Sequence, residues 1–444
     1  MKKEFVLITI FAFSHVNAFS INESSTLWTA EMCMRYAVEH NRTVRQRSLE
    51  LENRIEDKTR AIGQFLPGIS AGSNMNFNFG RSVDPETNTY KSVSTFNNGY
   101  SLSASLALFR GGSLVASLKQ SQIGVLLGKA ALEEIQDNIA AETYEAYINA
   151  VYSIESAEIA RMKLAETDSL LRKTAIMEEL GMKGAADVAQ VRAQRAEDAY
   201  LFTQQENRRE MAMLTLRQIM NLEENINLEV ERNIPEISAD KHSVYNTSGI
   251  SIDGSNNPGL RISFLQMQNS ALDRQHAWAN LLPSLSASAG WSTSYYKTRH
   301  VDGYPSFSEQ FKNNKGTYFG FSLSIPIFNR LSSITALRKA RNTHRIAQEQ
   351  YETKRESLQK TIAQALLDCE GAYKEIQLMK DKVRADELAY NITRRKYEEG
   401  LMTPLDVQTT STALLNSRTR LLQCLLTYRL KCKMLDYYQG GKLY

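Results

Sequence analysis

The stretch MEELGMKGAADV, at residues 177–188, is matched in its main features by KYEEGLMTPLDV, at residues 396–407. Each copy has a glycine that is followed six residues later by an Asp-Val pair, and the two glycines lie 219 residues apart. That separation is about half of the 444-residue chain. A long fixed period indicates an internally duplicated fold, so the chain is best read as two halves.

Both halves contain a pair of segments in which apolar and small polar residues alternate. In the first half they are FLPGISAGSNMNFNF (65–79) and GYSLSASLALF (99–109). In the second half they are LLPSLSASAGWSTSYY (281–296) and YFGFSLSIPIF (318–328). Strict alternation is the period of a β-strand. The polar faces carry Ser, Asn and Gly without charge, which favours outer-membrane strands around a water-filled lumen over a soluble sandwich.

Four strands are too few to close a sheet that faces lipid. An open edge has no water to satisfy its backbone groups in the bilayer, so the sheet must close into a barrel. Even small barrels need about eight strands. Two chains would supply eight strands and three chains would supply twelve. The strand count therefore predicts an oligomer that shares one barrel.

Each strand pair is followed by a long stretch without proline, from Gly112 to Leu180 and from Leu331 to Leu401. A proline inside a helix costs roughly 3 kcal/mol, so its absence permits uninterrupted helices. At 1.5 Å per residue, about 65 residues span roughly 100 Å. Apolar and charged residues recur at helical spacing, which is typical of long coiled-coil helices with a solvated charged face.

The chain begins with MKKEFVLITIFAFSHVNAFS, in which two lysines precede a short apolar run. This pattern predicts a Sec signal peptide at residues 1–18, cleaved after Ala18. No cysteine closely follows that site, so no lipid anchor is expected. The remaining predicted parts are a first repeat at 19–220, an Asn-, Ser- and Gly-containing connector at 221–258, and a second repeat at 259–444.

The composition excludes several classes of function. A formal net charge of +4 gives no strong attraction to nucleic acid. The six histidines show no metal-ligand spacing, and there is no glycine-rich phosphate loop or nucleophile motif, so neither an enzyme nor a cofactor is expected. The four cysteines, Cys33, Cys369, Cys424 and Cys432, lack CxxC spacing and lie in helix-like patterns. We expect thiols packed between helices rather than disulfides.

The repeated turn has a clear local role. Gly400 is suited to end a helix, and Thr403, Pro404 and Asp406 are suited to begin the next one as N-cap, first and third residues. In the first copy the corresponding residues are Gly181, Gly184 and Asp187. Capping is thus the structural alternative to any functional role of the two aspartates.

Together these features resemble a known family. The signal peptide, the two halves with one strand pair each, the FLP and LLP strand starts, the IPIFNR strand end and the YEEGLMTPLDV turn are similar to the TolC-type outer-membrane efflux proteins (outer membrane factors). The resemblance covers essentially the whole mature chain. It implies an α+β membrane protein, a homotrimer with a twelve-stranded β-barrel in the outer membrane, and a long α-helical barrel that extends into the periplasm.

The resemblance also implies a function and partners. The chain would be the outer-membrane channel of a tripartite efflux or type I secretion system, and it would passively conduct substrates delivered by an inner-membrane transporter. A periplasmic adaptor protein would dock at the helix–helix turns. That docking surface would comprise Gly181 and Met182 in the first repeat and Gly400 and Leu401 in the second.

The same turns would form the periplasmic aperture. The resemblance implies that Asp406 contributes to an acidic ring, and that Asp187 contacts Tyr397 in the closed state. Two positions depart from the best-studied pattern. An Arg is replaced by Met402, which removes an ionic latch, and a second Asp is replaced by Thr409, so the acidic ring would be single.

An alternative function remains at this stage. A periplasmic coiled-coil adaptor or scaffold without a pore would also use long helical hairpins. It would not explain four Ser-lined strands, and the N-terminal pattern is expected to be a signal peptide rather than a membrane anchor.

Overall fold

The computed structural model describes residues 27–83, 88–92, 94–232, 257–298, 303–438 and 440–444. The predicted signal peptide (1–18) lies outside the described residues, as does the middle of the predicted connector, 233–256.

The described residues form two series of elements that share an order of helix, long strand, long strand, very long helix and helix, with short elements added between. The first series comprises α1 (Ala30–His40), α2 (Arg42–Gly63), β1 (Gly68–Asn78), the short hairpin β2 (Arg81–Val83) and β3 (Tyr90–Ser92), β4 (Thr95–Arg110), α3 (Ser113–Glu179) and α4 (Ala185–Met220). The second comprises α5 (Pro258–Ala279), β5 (Ser284–Thr298), α6 (Phe307–Asn313), β6 (Gly316–Ser324), α7 (Ser332–Glu398) and α8 (Pro404–Tyr438).

The two long helices are equal in length. Both α3 and α7 contain 67 residues, and each starts directly after a residue in the left-handed region, Gly112 with φ 86° and Leu331 with φ 64°. The predicted proline-free helices are therefore confirmed nearly to their ends. At 1.5 Å per residue each spans roughly 100 Å, which separates the sheet at one end from the tip turns at the other. Among the described residues, no helix is both long and apolar enough to cross a bilayer.

The four long strands form one antiparallel sheet in the order β1-β4-β5-β6. The register pairs Ser70 with Ser103, and their hydroxyls lie 2.8 Å apart on the polar face. Leu102 pairs with Trp291 on the opposite, apolar face. The predicted alternation therefore holds across the sheet, but β6 ends at Ser324, so residues 325–328 of the fourth predicted segment lie outside the strand. The outer strands β1 and β6 are exposed along almost their whole length, so this sheet has two open edges.

The main apolar core lies in the middle of the helical part. Residues of α1, α3, α4 and the segment after α4 form it, including Met34, Leu216 and Met220, which are fully buried. The Tyr147 hydroxyl donates a hydrogen bond of 2.7 Å to the Glu231 carbonyl, which fixes the start of the connector against α3. The connector thus begins as a packed segment rather than a free linker.

The cysteine prediction is wrong for one pair. Cys369 on α7 and Cys432 on α8 form a disulfide, with Cα atoms 5.8 Å apart across 63 residues of sequence. Antiparallel packing of the two helices brings them together, and no local spacing signals it. Cys33 and Cys424 are free and buried, as predicted.

Candidate functional site

The helical tip begins with a glycine turn at the end of α3. Gly181 has φ 73°, in the left-handed region that favours glycine. Its N–H donates to the Glu178 carbonyl at 2.9 Å, and the Met182 N–H donates to the Met177 carbonyl at 2.8 Å. These two bonds define a Schellman motif, which satisfies carbonyls that the end of a helix leaves unpaired.

The turn at the end of α7 has the same geometry. Gly400 has φ 81°, and its N–H donates to the Tyr397 carbonyl at 2.9 Å. The Leu401 N–H donates to the Lys396 carbonyl at 2.8 Å. The predicted helix ends at both glycines are confirmed, and the two repeats present the same backbone surface.

The helices that leave the turns are capped as predicted. One oxygen of Asp406 accepts from the Thr403 N–H at 2.9 Å and from the Thr403 hydroxyl at 2.7 Å. In the first repeat, Asp187 accepts from the Gly184 N–H at 3.2 Å. Two hydrogen bonds from Thr403 hold the pKa of the Asp406 carboxyl below its usual value. The bond from the hydroxyl has a larger effect than the bond from the N–H. Asp406 is therefore an exposed and ionised carboxylate at neutral pH.

Four exposed apolar side chains surround the two glycines. We call them the tip surface: Leu180, Met182, Leu401 and Leu405, which are 69%, 60%, 72% and 55% exposed. Met182 and Leu401 were predicted from the sequence, but Leu180 and Leu405 were not. The available signal was that Leu180 comes one residue before the first glycine and Leu405 five residues after the second. No Cβ added at either glycine would meet another atom within 4 Å, so the backbone of both turns is open.

Tyr397 lies behind the tip surface and is only 1% exposed. Its hydroxyl shares a hydrogen bond of 2.6 Å with the Thr174 hydroxyl, which joins α7 to α3. Burial raises the pKa of the Tyr397 phenol, and the charge of Asp187 adds to the rise. The charge of Asp187 thus acts on Tyr397, but among the described contacts the two share no hydrogen bond, and one Asp187 oxygen accepts from the Gly184 N–H.

Lys183 is a further residue of the tip that was not predicted from the sequence. Its ammonium donates to the Met402 carbonyl at 3.1 Å and lies 4.7 Å from the centre of the Tyr397 ring. A cation over an aromatic face is attracted by the ring quadrupole. Lys183 occupies in the first repeat the position that Met402 occupies in the second, two residues after the glycine. Lys183 therefore places a cation beside the backbone of residue 402.

A buried polar cluster joins the two helical hairpins further up the helices. Lys163 on α3 donates to the Ser411 hydroxyl on α8. Nearby, Asp198 on α4 accepts from the Thr167 hydroxyl at 2.5 Å and from the Gln194 amide at 2.7 Å. Burial lowers the pKa of Lys163, while the charge of Asp198 opposes that shift. A cavity of about 360 Å³ lies between the hairpins and is bordered by Lys163, Thr167 and Ser411.

Further polar contacts cross the same junction closer to the tip. The Tyr390 hydroxyl on α7 donates to the Glu166 carboxylate on α3. Lys173 on α3 pairs with Glu398 on α7 at 2.7 Å. Polar groups therefore join the α3/α4 hairpin to the α7/α8 hairpin in this region, beside an apolar contact in which Leu170 of α3 packs against the cluster that includes Tyr397 and Val407.

Known proteins now identify the family. The family model OEP, Outer membrane efflux protein, matches residues 34–222 and 254–433, which is most of both repeats. The chain belongs to the outer membrane efflux protein family. A comparison with curated protein sequences gives no match.

Solved structures of this efflux protein fold resemble the chain over nearly its full length. A structure of CusC, reported with its folding and transmembrane channel formation, has a TM-score of 0.81 at 17% identity and covers 93% of this chain and 92% of that chain. VceC from Vibrio cholerae has a TM-score of 0.77 at 15% identity, and the match covers 94% of this chain and 97% of that chain. The open state of MtrE from Neisseria gonorrhoeae has a TM-score of 0.73 at 19% identity, and the match covers 93% of this chain and 89% of that chain.

The family and the fold confirm the predicted fold class, the predicted location and the general prediction of a channel. The fold class is confirmed as that of trimeric efflux channels, in which four strands per chain contribute to a β-barrel and the long helices form a periplasmic helical barrel. The location is the outer membrane, with an extension into the periplasm. The protein is an outer-membrane efflux channel, so the alternative of a scaffold without a pore is wrong.

Proposed function

We propose that three copies of this efflux protein form a passive duct for substrates that an inner-membrane transporter delivers, in a tripartite efflux or type I secretion system. The proposal rests on the shape of one chain. It has a sheet with two open edges at one end and two matched turns roughly 100 Å away at the other. Closing the sheet with two further copies completes a barrel and brings six such turns together.

The tip surface is the proposed docking site for the periplasmic adaptor. Leu180, Met182, Leu401 and Leu405 are apolar and solvent-exposed on turns of identical hydrogen bonding. Exposed apolar clusters of this kind are typical of protein–protein contacts. Because Gly181 and Gly400 lie in equivalent turns, each chain presents two similar contact sites to the adaptor.

The aperture is proposed to lie just inside the tip surface. Asp406 is exposed and ionised, so three copies around an axis would place three negative charges at one level. Such a ring attracts cations and repels anions. Tyr397 and Lys183 lie behind it and hold the α7/α8 hairpin to α3/α4, so opening would require their contacts to separate.

Conductance of the purified protein in a planar bilayer tests the proposal. A duct with a narrow acidic aperture should give small, cation-preferring channels. Asp406→Asn should reduce the preference for cations, whereas Asp381→Asn, at an exposed carboxylate on α7 paired with Arg384, should not. Trimers that insert without conducting would contradict the proposed duct, and equal effects of the two variants would contradict the aperture.

A further inference from the structure

We propose that Gly290 and Tyr318 set the free bore of the barrel and thereby the size of the solutes that can leave through it. Gly290 leaves room on the wall for the ring of Tyr318, and a side chain at position 290 would push that ring into the lumen. This role rests on the proposed duct and goes beyond it, because it assigns the size limit of the duct to one pair of residues.

Tyr318 lies on the polar face of the sheet, which is the face that lines the lumen of such a barrel. Gly290 of β5 pairs directly with Tyr318 of β6. Along the paired part of the two strands, Ser284–Ser292 and Gly316–Ser324, every other residue on this face is a serine or a glycine. Tyr318 is therefore the one large side chain on this part of the lumen wall.

The ring of Tyr318 lies flat against the wall. A Cβ atom built on Gly290 would be 2.7 Å from Cζ of Tyr318 and 2.8 Å from its hydroxyl oxygen. These two atoms are at the far end of the side chain, so the ring reaches across to the neighbouring strand and stays close to its backbone. Side chains of a strand usually stand roughly perpendicular to the sheet. Tyr318 departs from that direction, and its ring rests on Gly290 while 56% of the residue stays exposed.

The space that holds the ring exists because residue 290 is a glycine. Its neighbours on the same face of β5 are Ser288 and Ser292, whose side chains flank the gap. Non-bonded carbon atoms pack at about 3.5–4.0 Å, so a methyl group at position 290 cannot coexist with the ring in its place. The ring is the movable end of a side chain, whereas the two strands are fixed by their ladder. Alanine at position 290 should therefore leave the fold intact and lift the ring toward the lumen.

The first repeat has the same arrangement with the two roles exchanged. Asn74 and Gly99 correspond to Gly290 and Tyr318 when the matching strand segments of the two repeats are aligned. Asn74 pairs directly with Gly99, and its side-chain amide occupies the space of the missing side chain. Each repeat thus has one longer side chain that lies over a glycine on the lumen face. Tyrosine is the larger of the two side chains, so Gly290 is the glycine that affects the bore most.

The dimensions of the barrel make the position of this ring important. Twelve strands that lie about 4.8 Å apart and are tilted by roughly 40° give about 24 Å between the backbones on opposite sides. Side chains narrow this bore, and serine and glycine narrow it least. Each chain of the trimeric fold contributes one Tyr318, so upright rings would project into the bore from three sides. Flat rings keep the bore open for bulky solutes.

A purely structural role of the ring is the alternative. An aromatic ring over a glycine can stabilise a strand pair, because it covers exposed backbone. Alanine fits a strand better than glycine does, so the cover would then be dispensable in Gly290→Ala. The Tm of the trimer would stay the same or rise, and the passage of solutes would not change. The bore role predicts instead an effect that depends on the size of the solute.

Labelling of a cysteine from outside the cell tests the bore in the full-length protein. Ser286 lies on the lumen face of β5, between Gly290 and the helical part. In cells that produce Ser286→Cys, maleimide-polyethylene glycols of increasing mass should reach the new thiol through the outer end of the barrel up to a size limit. Adding Gly290→Ala should shift this limit to a smaller reagent, whereas N-ethylmaleimide should react as before. Adding Tyr318→Ser as well should restore the limit.

Matched controls separate the ring from the added methyl group. Gly320→Ala places the same group on the lumen face, where its Cβ would meet no atom within 4 Å, so the limit should not change. Ser294→Cys, on the outer side of Gly290, should be labelled equally with and without Gly290→Ala. Protein without a new cysteine should not react with the polymers, because Cys33 and Cys424 are buried.

A second variant narrows the bore without changing the glycine. Tyr318→Trp introduces a ring system that is larger than the gap, so it should shift the limit in the same direction as Gly290→Ala. It replaces Gly290→Ala in the test if that variant yields too few trimers. The Tm of each variant trimer in mild detergent checks that the fold is retained.

The outcomes separate the bore from the duct. An unchanged limit in both Gly290→Ala and Tyr318→Trp, or an equal shift in Gly320→Ala, would overturn the proposal. A shift that Tyr318→Ser does not reverse would also overturn it, because the ring would not be the obstacle. If Ser286→Cys resisted even N-ethylmaleimide, the open lumen itself would be contradicted, and the bore would fail together with the duct.

Discussion

Lys183 of the first repeat lies over the ring of Tyr397 of the second, with the ammonium 4.7 Å from the ring centre. The same ammonium donates to the Met402 carbonyl, so one side chain spans the junction between the two hairpins at the tip. Together with the Tyr397–Thr174 hydrogen bond, it connects the parts that must separate if the aperture widens.

Removing the Tyr397 hydroxyl should favour the open aperture. Tyr397→Phe keeps the packed ring and loses one buried hydrogen bond, which contributes about 1 kcal/mol. The ratio of open to closed channels should therefore rise about fivefold for each copy in which the contact is lost, so by at least about fivefold in single-channel recordings of the trimer. Tyr200→Phe, at an exposed tyrosine on α4, serves as the control and should change nothing. Unchanged opening in Tyr397→Phe would show that this contact does not restrain the aperture.

Cation preference should depend on pH through Asp406. Hydrogen bonds from Thr403 lower the pKa of Asp406, so its charge persists below the usual carboxyl range and is lost only as the pH falls through the lowered pKa. Reversal potentials in a salt gradient should show cation preference fading at acidic pH. Thr403→Val removes the hydroxyl donor, raises that pKa and should move the loss of preference to higher pH. An identical pH profile in Thr403→Val would argue against Asp406 as the titrating group.

The disulfide between Cys369 and Cys432 should stabilise the α7/α8 hairpin. Closing a loop of 63 residues lowers the entropy of the unfolded chain and contributes roughly 4 kcal/mol in the chain-entropy account. Replacing both residues with Ser should lower the Tm of the trimer in mild detergent. Reductant should lower the Tm of the wild type but not of the double variant.

Thiol counting checks the pairing itself. Alkylation of the unfolded, unreduced protein should modify Cys33 and Cys424 only. Four modified cysteines in protein extracted without reductant would exclude the disulfide.

The contributions of the buried Lys163 and Asp198 to the stability of the protein should be coupled. Lys163→Met removes the cation beside the buried carboxylate, and Asp198→Asn removes the stronger of the two negative charges that act on the ammonium, the other being Glu166. Each single change should therefore lower the free energy of unfolding by about 1–3 kcal/mol. The double variant should lose less than the sum of the two, because it removes both charges. Tm values of the four proteins measure this coupling, and strict additivity would contradict it.

The tip surface should be required for export but not for pore formation. Leu401→Glu places a charge on the proposed adaptor contact and should reduce export of the native substrate by the host cells. Trimer yield and bilayer conductance should stay at the wild-type level. The conservative variant Leu401→Met should retain export. Full export by cells that carry Leu401→Glu together with Met182→Glu would remove this surface from the docking site.

Periodic and local features of the fold could be predicted from the sequence. The proline-free stretches predicted the bounds of α3 and α7 to within a few residues, because length and composition determine whether such helices form. Alternation of small polar and apolar residues gave the four long strands. The Thr403–Asp406 cap was predictable because its partners lie three residues apart.

Contacts between distant segments could not be predicted in the same way. The Cys369–Cys432 disulfide and the Lys163–Ser411 bond depend on how antiparallel helices align in space, which no local pattern records. Lys183 was missed because its role depends on the long side chain reaching across to the other repeat. Helix α6 and the β2–β3 hairpin were also missed, since such short elements depend on their neighbours. Gln310 of α6, for example, bonds both backbone groups of Tyr296.

The native mass of the protein extracted from outer membranes in mild detergent tests the central claim most directly. The account predicts a complex of three chains, because the open edges β1 and β6 must pair with neighbours to close the barrel. A monomer that is recovered without detergent would contradict the account, since a single chain would then satisfy its own strand edges and no shared channel would exist.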